Sequence, residues 1–186
     1  DVLNRAVEQT KQIILEKNVT TENIDETAHD VGVGAVVFNE LSNYRIKDYV
    51  FSWDKVLNFE GETGPYVQYT HARACSILRR AGEDTVKAAK KGFDTSWITG
   101  ESAHHLIKLL YALPEVIKEA GEKYEPSIVT RHIVDIAQGF NKFYHDEHIL
   151  VEDEKEKTAK VALVLAVQTA IKNGLGLLGM KAPEKM

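Results

Sequence analysis

Residues 59–80 of the chain read FEGETGPYVQYTHARACSILRR. The glycines near the start of this stretch predict a loop. Pro65 follows where proline fits the first turn of a helix, and Thr63 or Gly64 can cap that helix. The stretch therefore predicts a loop and then a helix that continues to about Ala81.

This helix has two different faces at 100° per residue. One face can pack in a core, and it carries Val67, His71, Ala74, Leu78 and Ala81. The other face carries Tyr66, Tyr69, Arg73, Ser76 and Arg80. Phenol and guanidinium groups stack on bases and pair with phosphates, so this second face is a candidate RNA contact. A solvated amphipathic helix without a ligand explains the same pattern, and both alternatives stay open.

The composition is ordinary for a soluble globular protein, with 44% hydrophobic and 27% charged residues in a chain of 186. That length suits one or two domains. No apolar run reaches membrane-spanning length and no secretory leader follows Asp1, so we expect a cytoplasmic protein with no membrane partner. A start at Asp1 rather than at Met predicts a fragment or a processed form. The single Cys75 excludes an internal disulfide, and we expect it to be buried.

The formal net charge of −5 argues against a broadly basic nucleic-acid-binding surface. If the chain binds RNA, it must do so through local patches and base stacking. The acidic charge favours the alternative of a helical protein-interaction or structural module without RNA contact.

The first half predicts helices over residues 1–18 and 24–41, with a polar, capping break at 20–23 between them. The two glycines of the second helix are expected to permit close packing. Residues 49–53 are aromatic and β-prone, and they predict either an edge strand or an extended segment. A short charged helix is expected over 83–91.

Residues 92–96 predict a connector, where we place a domain boundary. The second half then predicts four helices. The first starts at the capping residues 99–102 and stops at Pro114, and a short one follows over 115–122. The third runs over 127–145, and the last opens at 152–157 and frays at Gly174, Gly176 and Gly179. The stripe Val129, Ile133, Ile136, Phe140 and Phe143 is expected in the core.

No grouping of side chains predicts an active site. His145 and His148 are spaced for one helix face, but no third ligand is nearby, so a solvated helix end is the preferred interpretation. We find no catalytic residues and no metal site in the sequence, which favours a binding module over a stand-alone enzyme.

Tyr144 is the candidate stacking residue in the second half. It lies on the flank of the core stripe, with Asn141 and His148 on the same flank. One interpretation is a platform for an unpaired base, with the amide and the imidazole at its edge. The other is a half-buried tyrosine whose hydroxyl is in water.

Several stretches resemble a known family. Residues 61–73, together with 33–38 and 49–54, resemble the segment that joins the catalytic core of bacterial arginyl-tRNA synthetases to their helical domain. Residues 135–144 and 173–186 resemble the DALR-type anticodon-binding domain of that class I synthetase family. The resemblance covers essentially the whole chain and implies that Met186 is the native C-terminus.

The resemblance implies an all-α fold, a helical bundle preceded by helices from the end of the catalytic module, with one short extended segment. It implies a division into 1–92, the end of the catalytic module with stem-contact helices, and 93–186, the anticodon-binding domain. The tRNA-binding candidates are Tyr144, His148, Asn141, Met186, Tyr66, Tyr69, Arg73 and Arg80. The position of His148 is often aromatic in the family. The side chains of four candidates on the helix after Pro65 can face either the catalytic core or the tRNA, namely Tyr66, Tyr69, Arg73 and Arg80.

The implied function is recognition of the tRNA(Arg) anticodon stem-loop in the ATP-dependent charging of tRNA with arginine. The expected partners are tRNA(Arg) and the catalytic domain of the parent chain, with no DNA. The parent is expected to use ATP and Mg²⁺. The Rossmann core and the His-Ile-Gly-His-type motif of the family are absent here, so we expect this segment to bind no cofactor and to be inactive alone.

Overall fold

The computed structural model describes residues 1–16 and 23–186. This part is mostly helical and contains no strand, so the predicted all-α fold is confirmed. Its helices are α1 (Val2–Glu16), α2 (Ile24–Ser42), α3 (Trp53–Val56), α4 (Gly64–Ala81), α5 (Glu83–Lys91), α6 (Glu101–Lys123), α7 (Ser127–Asp146) and α8 (Glu154–Leu177), with a 3-10 turn (Thr95–Trp97) before α6. The predicted end of the first helix at Asn18 and most of the break after it lie outside the described residues.

Side-chain caps start several of the helices, among them α2, α4 and α8. Asn23 Oδ1 accepts a hydrogen bond from the Glu26 backbone N–H at 3.2 Å at the start of α2. Thr63 Oγ1 accepts one from the Tyr66 N–H at 3.2 Å at the start of α4, and Asp153 accepts two in the first turn of α8. Such a cap contributes about 1 kcal/mol. Of the two caps predicted for α4, the structure uses Thr63.

Residues 49–53 do not form a strand. The backbone at Ser52 is extended, with φ −140° and ψ 122°, and α3 begins directly after it. The described part of the chain offers no partner strand, and a lone strand is not stable. The Trp53 ring is instead fixed by Phe51, edge-on with centroids 4.9 Å apart, and by the Arg5 guanidinium 4.8 Å from the ring centroid.

Helix α6 runs without a break through Pro114, so the predicted restart there and the separate helix over 115–122 are wrong. A proline in a helix interior costs about 3 kcal/mol. Leu106 and Leu113 are both buried, and each buried leucine contributes about 1.5–3 kcal/mol. Packing of α6 on α7 therefore offsets the cost of the proline.

Helix α6 starts within residues 99–102 as predicted, whereas the end of α8 differs from the prediction because of close packing. Helix α6 begins after Gly100 without a side-chain cap, and a Cβ at Gly100 would overlap the carboxylate of Glu147. Helix α8 does not fray at Gly174 but continues past it. A Cβ at Gly174 would overlap a methyl group of Ile133, so this glycine lets α8 lie directly against α7.

The main core lies where α8 packs on α4, α5 and α7 and where α6 packs on α7. Its largest fully buried apolar side chains are Phe38, Phe140, Phe143, Leu106, Ile133, Ile136, Ile171 and Leu175. The predicted core stripe of α7 is confirmed, since all five of its members are buried. A smaller core beneath α1 and α2 contains Ala6, Ala35, Val36, Val56 and Leu57.

The two predicted faces of α4 are confirmed. Val67, His71 and Ala74 are buried, while Leu78 and Ala81 are half-buried. The opposite face lies at the surface, with Tyr69 and Arg80 exposed and Tyr66, Arg73 and Ser76 half-buried. Helix α4 therefore presents its phenol and guanidinium groups on one side of the bundle.

The main core continues across residue 92, because Ala89 before it and Ile98 after it belong to the same buried cluster. The division of the chain at that residue stays a prediction. None of the described helices is both long and apolar enough to cross a membrane.

Candidate nucleic-acid interface

Helices α4 and α7 bring five of the predicted residues together, and we call Tyr66, Tyr69, Arg73, Asn141 and Tyr144 the Arg73 cluster. Arg73 Nη1 donates to Asn141 Oδ1 at 2.6 Å. The guanidinium carbon of Arg73 lies 5.0 Å from the ring centroid of Tyr69 and 5.5 Å from that of Tyr144. Both distances fall within the range of cation–π attraction.

Asn141 on α7 holds the cluster together through hydrogen bonds to α4. While its Oδ1 accepts from Arg73, its Nδ2 donates to Tyr66 Oη at 2.9 Å and to Thr70 Oγ1 at 3.2 Å. The amide therefore uses both its acceptor and its donor sides, and it holds the guanidinium in one orientation. A planar fork held in this way can pair with a phosphate or a base edge without further ordering.

The two flanking rings are half exposed. Tyr69 is 39% exposed and Tyr144 is 41% exposed. Tyr144 also stacks on the buried Phe140, with centroids 6.4 Å apart and planes 29° apart. Each ring thus has one side fixed by the protein and an accessible remainder, which is compatible with both interpretations of Tyr144 given above.

Two cavities meet at Arg73. The first, of about 470 Å³, is lined by Tyr66, Tyr69, Arg73, Asn141 and Met186, with Ile13 and Ile14 of α1 and Phe59 among its other walls. The second, of about 310 Å³, is lined by Tyr69, Ala72, Arg73, Ser76, Arg79, Lys185 and Met186. The first combines apolar walls with a few polar groups, as ligand sites do. The second carries three positive side chains, which suits an anion.

Residues 180–186, which we call the tail, return from α8 to α4. Gln68 Nε2 donates to the carbonyl of Lys181 at 2.9 Å, and His71 Nδ1 lies 2.9 Å from the carbonyl of Pro183. Arg79 Nη1 donates to the carbonyl of Glu184 at 3.1 Å. These contacts bring Met186 to the cavities at Arg73, and its role in tRNA binding stays a prediction.

His71 is buried among polar partners. Its Nε2 lies 3.0 Å from the Gln168 amide nitrogen, and Cys75 Sγ lies 3.7 Å from the same ring nitrogen. Burial lowers the pKa of His71, against the opposing effect of the Pro183 carbonyl. Burial also raises the pKa of the Cys75 thiol, and Cys75 is buried as predicted.

Two predicted residues belong neither to the cluster nor to the walls of the two cavities at Arg73. Helix α7 ends at Asp146, so His148 does not lie on the helix flank beside Tyr144; it is exposed, and its carbonyl accepts from Lys160 Nζ at 3.1 Å. Arg80 is exposed near the end of α4 and lines neither of the two cavities at Arg73.

The histidines at the end of α7 are solvated. His145 is exposed and its Nδ1 lies 3.3 Å from Asp146 Oδ1. The pKa of Asp146 is lowered, first by its hydrogen bond with Lys142. Over residues 1–16 and 23–186, no three His, Cys, Asp or Glu side chains are grouped so that they could hold a metal ion.

The sequence reasoning missed Gln68, Thr70, Arg79 and Gln168, which hold the cluster or the tail in place. One feature of the sequence could have indicated them, because the packing face of α4 contains polar side chains. Buried polar groups need hydrogen-bond partners, so a histidine and a glutamine within that buried surface indicate carbonyl acceptors from elsewhere in the chain.

Comparison with known families gives two matches along the chain. The family "DALR anticodon binding domain" matches residues 67–186, and "tRNA synthetases class I (R), catalytic domain" matches residues 1–53. The Arg73 cluster, apart from Tyr66, falls within the first match.

Curated relatives are similar over the whole chain. The arginine–tRNA ligases of Halothermothrix orenii and Alkaliphilus metalliredigens are each 55% identical over 186 residues, and the chain covers 32% of their length. The chain therefore spans about a third of these relatives.

Solved structures show the same fold. The arginyl-tRNA synthetase of Thermus thermophilus superposes with a TM-score of 0.90 at 34% identity, over 100% of this chain and 32% of that one. The Plasmodium falciparum arginyl-tRNA synthetase superposes with a TM-score of 0.85 at 24% identity, over 99% and 33% of the two chains, and this likeness concerns the fold alone. With a family match over residues 67–186, the chain belongs to the DALR anticodon binding domain family, and its relatives are arginine–tRNA ligases.

Proposed function

We propose that this chain is the part of an arginine–tRNA ligase that binds the anticodon stem-loop of tRNA(Arg). The observation that carries the proposal is the Arg73 cluster, in which a guanidinium stands between two half-exposed tyrosine rings. Four of its five residues belong to the segment that matches the DALR anticodon binding domain. The whole-chain likeness to arginine–tRNA ligases supports tRNA(Arg) as the RNA.

The cluster has the chemistry that single-stranded RNA requires. Unpaired bases stack on aromatic rings, and each such stack contributes about 1–3 kcal/mol. Tyr69 and Tyr144 offer two such rings, and Arg73 between them offers N–H donors for a phosphate or a base edge. The apolar walls of the larger cavity, which include Met186, suit the flat face of a base.

The acidic net charge limits the proposal to a local contact. Arg73, Arg79 and Lys185 line the smaller cavity, and Arg80 follows Arg79 on α4. Neutralising two or three phosphates there implies a modest salt slope, about −0.7 per phosphate for a single strand. Stacking then supplies the rest of the affinity.

The activity of the parent enzyme enters as part of the same proposal. The ATP-dependent charging of tRNA with arginine, with Mg²⁺, takes place in the remainder of the parent chain, and that remainder is the second partner of this segment. The segment itself supplies no catalytic residue and binds no cofactor. The parent enzyme acts in the cytoplasm. The 186-residue chain should therefore release no AMP from ATP and charge no tRNA(Arg), and measurable charging by it would contradict this part of the proposal.

The direct test titrates the chain with the anticodon stem-loop of tRNA(Arg), and with a non-cognate stem-loop, at two salt concentrations. We expect tighter binding of the cognate RNA, and weaker binding at the higher salt. Tyr144→Ala should weaken binding by about 1–3 kcal/mol for one lost stack, which is about 5- to 150-fold in Kd. Tyr111→Ala is the matched control, because Tyr111 is 87% exposed on α6 and outside the cluster.

The outcomes separate two functions. No binding, or an equal loss of affinity in both tyrosine variants, would remove the cluster from the RNA site. The alternative of a helical protein-interaction module draws on a cavity of about 660 Å³ beside α6 and α8, whose walls include the exposed Phe93, Ile107 and Tyr111. An apolar protein contact there would be nearly independent of salt, whereas RNA binding is not.

A further inference from the structure

We infer that Gln68 and His71 are positioning residues for the proposed RNA site: they fix the tail against α4 and so keep Met186 in the wall of both cavities at Arg73. The inference rests on the proposed function. Neither residue lines those cavities, so neither is expected to touch the RNA.

The first support is that both side chains are wholly buried and bonded to the tail. Each is 0% exposed. Gln68 Nε2 donates to two carbonyls from distant parts of the chain, that of Asp30 at 3.1 Å and that of Lys181 at 2.9 Å. One amide thus ties α2 and the tail to α4, and a buried carbonyl left without this donor would cost about 1–3 kcal/mol.

The second support is the hydrogen-bonding of His71. The Pro183 carbonyl can only accept, so the His71 Nδ1 at 2.9 Å must carry a hydrogen. In the neutral ring, Nε2 then accepts from the amide of Gln168 at 3.0 Å. Both ring nitrogens are therefore used by the neutral form, one for the tail and one for α8.

The charges around His71 agree with a neutral ring. Burial and the nearby Lys172 lower the pKa of His71, while the Pro183 carbonyl and Glu184 raise it, and the net direction is downward. The other titratable group that contacts the ring is the Cys75 thiol, whose own pKa is raised. At neutral pH the contact with the tail is therefore made by an uncharged imidazole.

The third support is the close approach of the backbone around the tail. A Cβ at Gly34 would lie 2.9 Å from Gln68 Nε2 and 3.0 Å from Met180 Cε, and one at Gly64 would lie 3.3 Å from Met180 Cε. Met180 is itself buried. Glycines in α2 and at the start of α4 thus leave space for the tail at the place where Gln68 bonds to it.

The hydrogen bonds that hold the tail continue to Glu184, two residues before Met186. Pro183 is fixed by His71, and Glu184 by Arg79, so little freedom remains for the last two residues. Both cavities at Arg73 include Met186 in their walls, and the smaller one includes Lys185 as well. If the tail leaves α4, both cavities lose a wall while the Arg73 cluster itself stays in place.

The test uses the 186-residue chain and a double-mutant cycle. Gln68→Met keeps the length of the side chain and removes the amide, and a second variant ends at Glu184. We expect each to weaken binding of the tRNA(Arg) anticodon stem-loop about tenfold, within the range for one lost stacking contact. The double variant should bind no more weakly than the variant that ends at Glu184, because both changes remove the same wall.

Two histidine variants and a control complete the design. His71→Leu should weaken binding as Gln68→Met does, whereas His71→Asn keeps an N–H donor near Nδ1 and should restore most of the affinity. His132→Leu is the matched control, since His132 is also buried and its Nε2 lies 2.8 Å from a backbone carbonyl, that of Leu109. It should lower the thermal midpoint without changing Kd. Hydrogen exchange of the tail amides should rise in Gln68→Met and His71→Leu but not in His132→Leu.

The possible failures are distinguishable. If the chain of natural sequence binds no stem-loop, the proposed function fails and this inference fails with it. If that chain binds but the variant ending at Glu184 binds equally well, or the losses in the cycle add, only the inference is overturned. A rise in Kd of the same size for His132→Leu would mean that lost stability, and not the position of the tail, governs binding.

Discussion

Replacing Arg73 by lysine asks whether RNA binding depends on the orientation of the guanidinium or only on its charge. The side chain is held by one hydrogen bond to Asn141 and by the rings of Tyr69 and Tyr144. Lysine keeps the positive charge but has no planar fork that can stack between rings. Arg73→Lys therefore changes the geometry of the site while it leaves the net charge at −5.

The size of the effect follows from the contacts that are lost. Two cation–π contacts, at 5.0 and 5.5 Å, contribute about 0.5–1 kcal/mol each at exposed sites. The ammonium can still reach Asn141, so that hydrogen bond is only weakened. The total is about 1–2 kcal/mol of lost preorganisation, which weakens the Kd for the anticodon stem-loop by about 5- to 30-fold.

Fluorescence anisotropy with a labelled stem-loop at several salt concentrations measures both quantities. We expect the Kd to rise while the slope of log K against log salt stays the same, because the number of cations is unchanged. Arg131→Lys is the matched control, since Arg131 is exposed on α7 outside the cluster. An unchanged Kd for Arg73→Lys, an equal rise for Arg131→Lys, or a shallower salt slope would refute the reasoning.

Three further predictions concern stability. Burial lowers the pKa of His71 below its ordinary 6.5, so the unfolded chain binds a proton more readily than the folded one. The contribution of the neutral ring to the free energy of unfolding is therefore full above about pH 6.5 and is lost as the pH falls below that value. The thermal midpoint should drop less between pH 7.5 and 5.5 in His71→Asn than in the unchanged chain. Gly174→Ala should lower the free energy of unfolding by about 1–3 kcal/mol, because the added methyl group overlaps Ile133. Gly121 has open space around it, so Gly121→Ala should stabilise α6 by up to about 1 kcal/mol. Urea unfolding measures both changes. Lys160→Met should destabilise by about 3 kcal/mol, because it leaves the partly buried carboxylates of Glu147 and Glu156 without their partner, and an unchanged urea midpoint would contradict that.

Sequence reasoning succeeded where the signal is local. The cap at Thr63, the two faces of α4 and the buried stripe of α7 follow from a helical period and from residue types within a few positions of one another. The Arg73 cluster was assembled only in part, because sequence places Tyr69 and Arg73 on one face but cannot show that Asn141 lies against them from another helix.

It failed where tertiary packing overrides local preference. Pro114 predicts a break, yet the packing of α6 on α7 keeps the helix continuous. Of the two alternatives for residues 49–53, the edge strand is wrong and the extended segment agrees with the extended backbone at Ser52. Helix α7 ends at Asp146, before it reaches His148. The hydrogen bonds of the tail join residues more than 100 positions apart, a distance at which no periodic pattern gives a signal.

The same long separation bears on how the protein is made. Gln68 and His71 leave the ribosome long before Lys181 and Pro183, their partners 113 and 112 residues later, have been translated. Until then, Gln68 can donate only to the carbonyl of Asp30, and α4 packs with a buried His71 that lacks its acceptor, at a cost of about 1–3 kcal/mol. A nascent or prematurely terminated chain would thus be recognisably less stable than the finished one, and proteases that sample unfolded chains would remove it first.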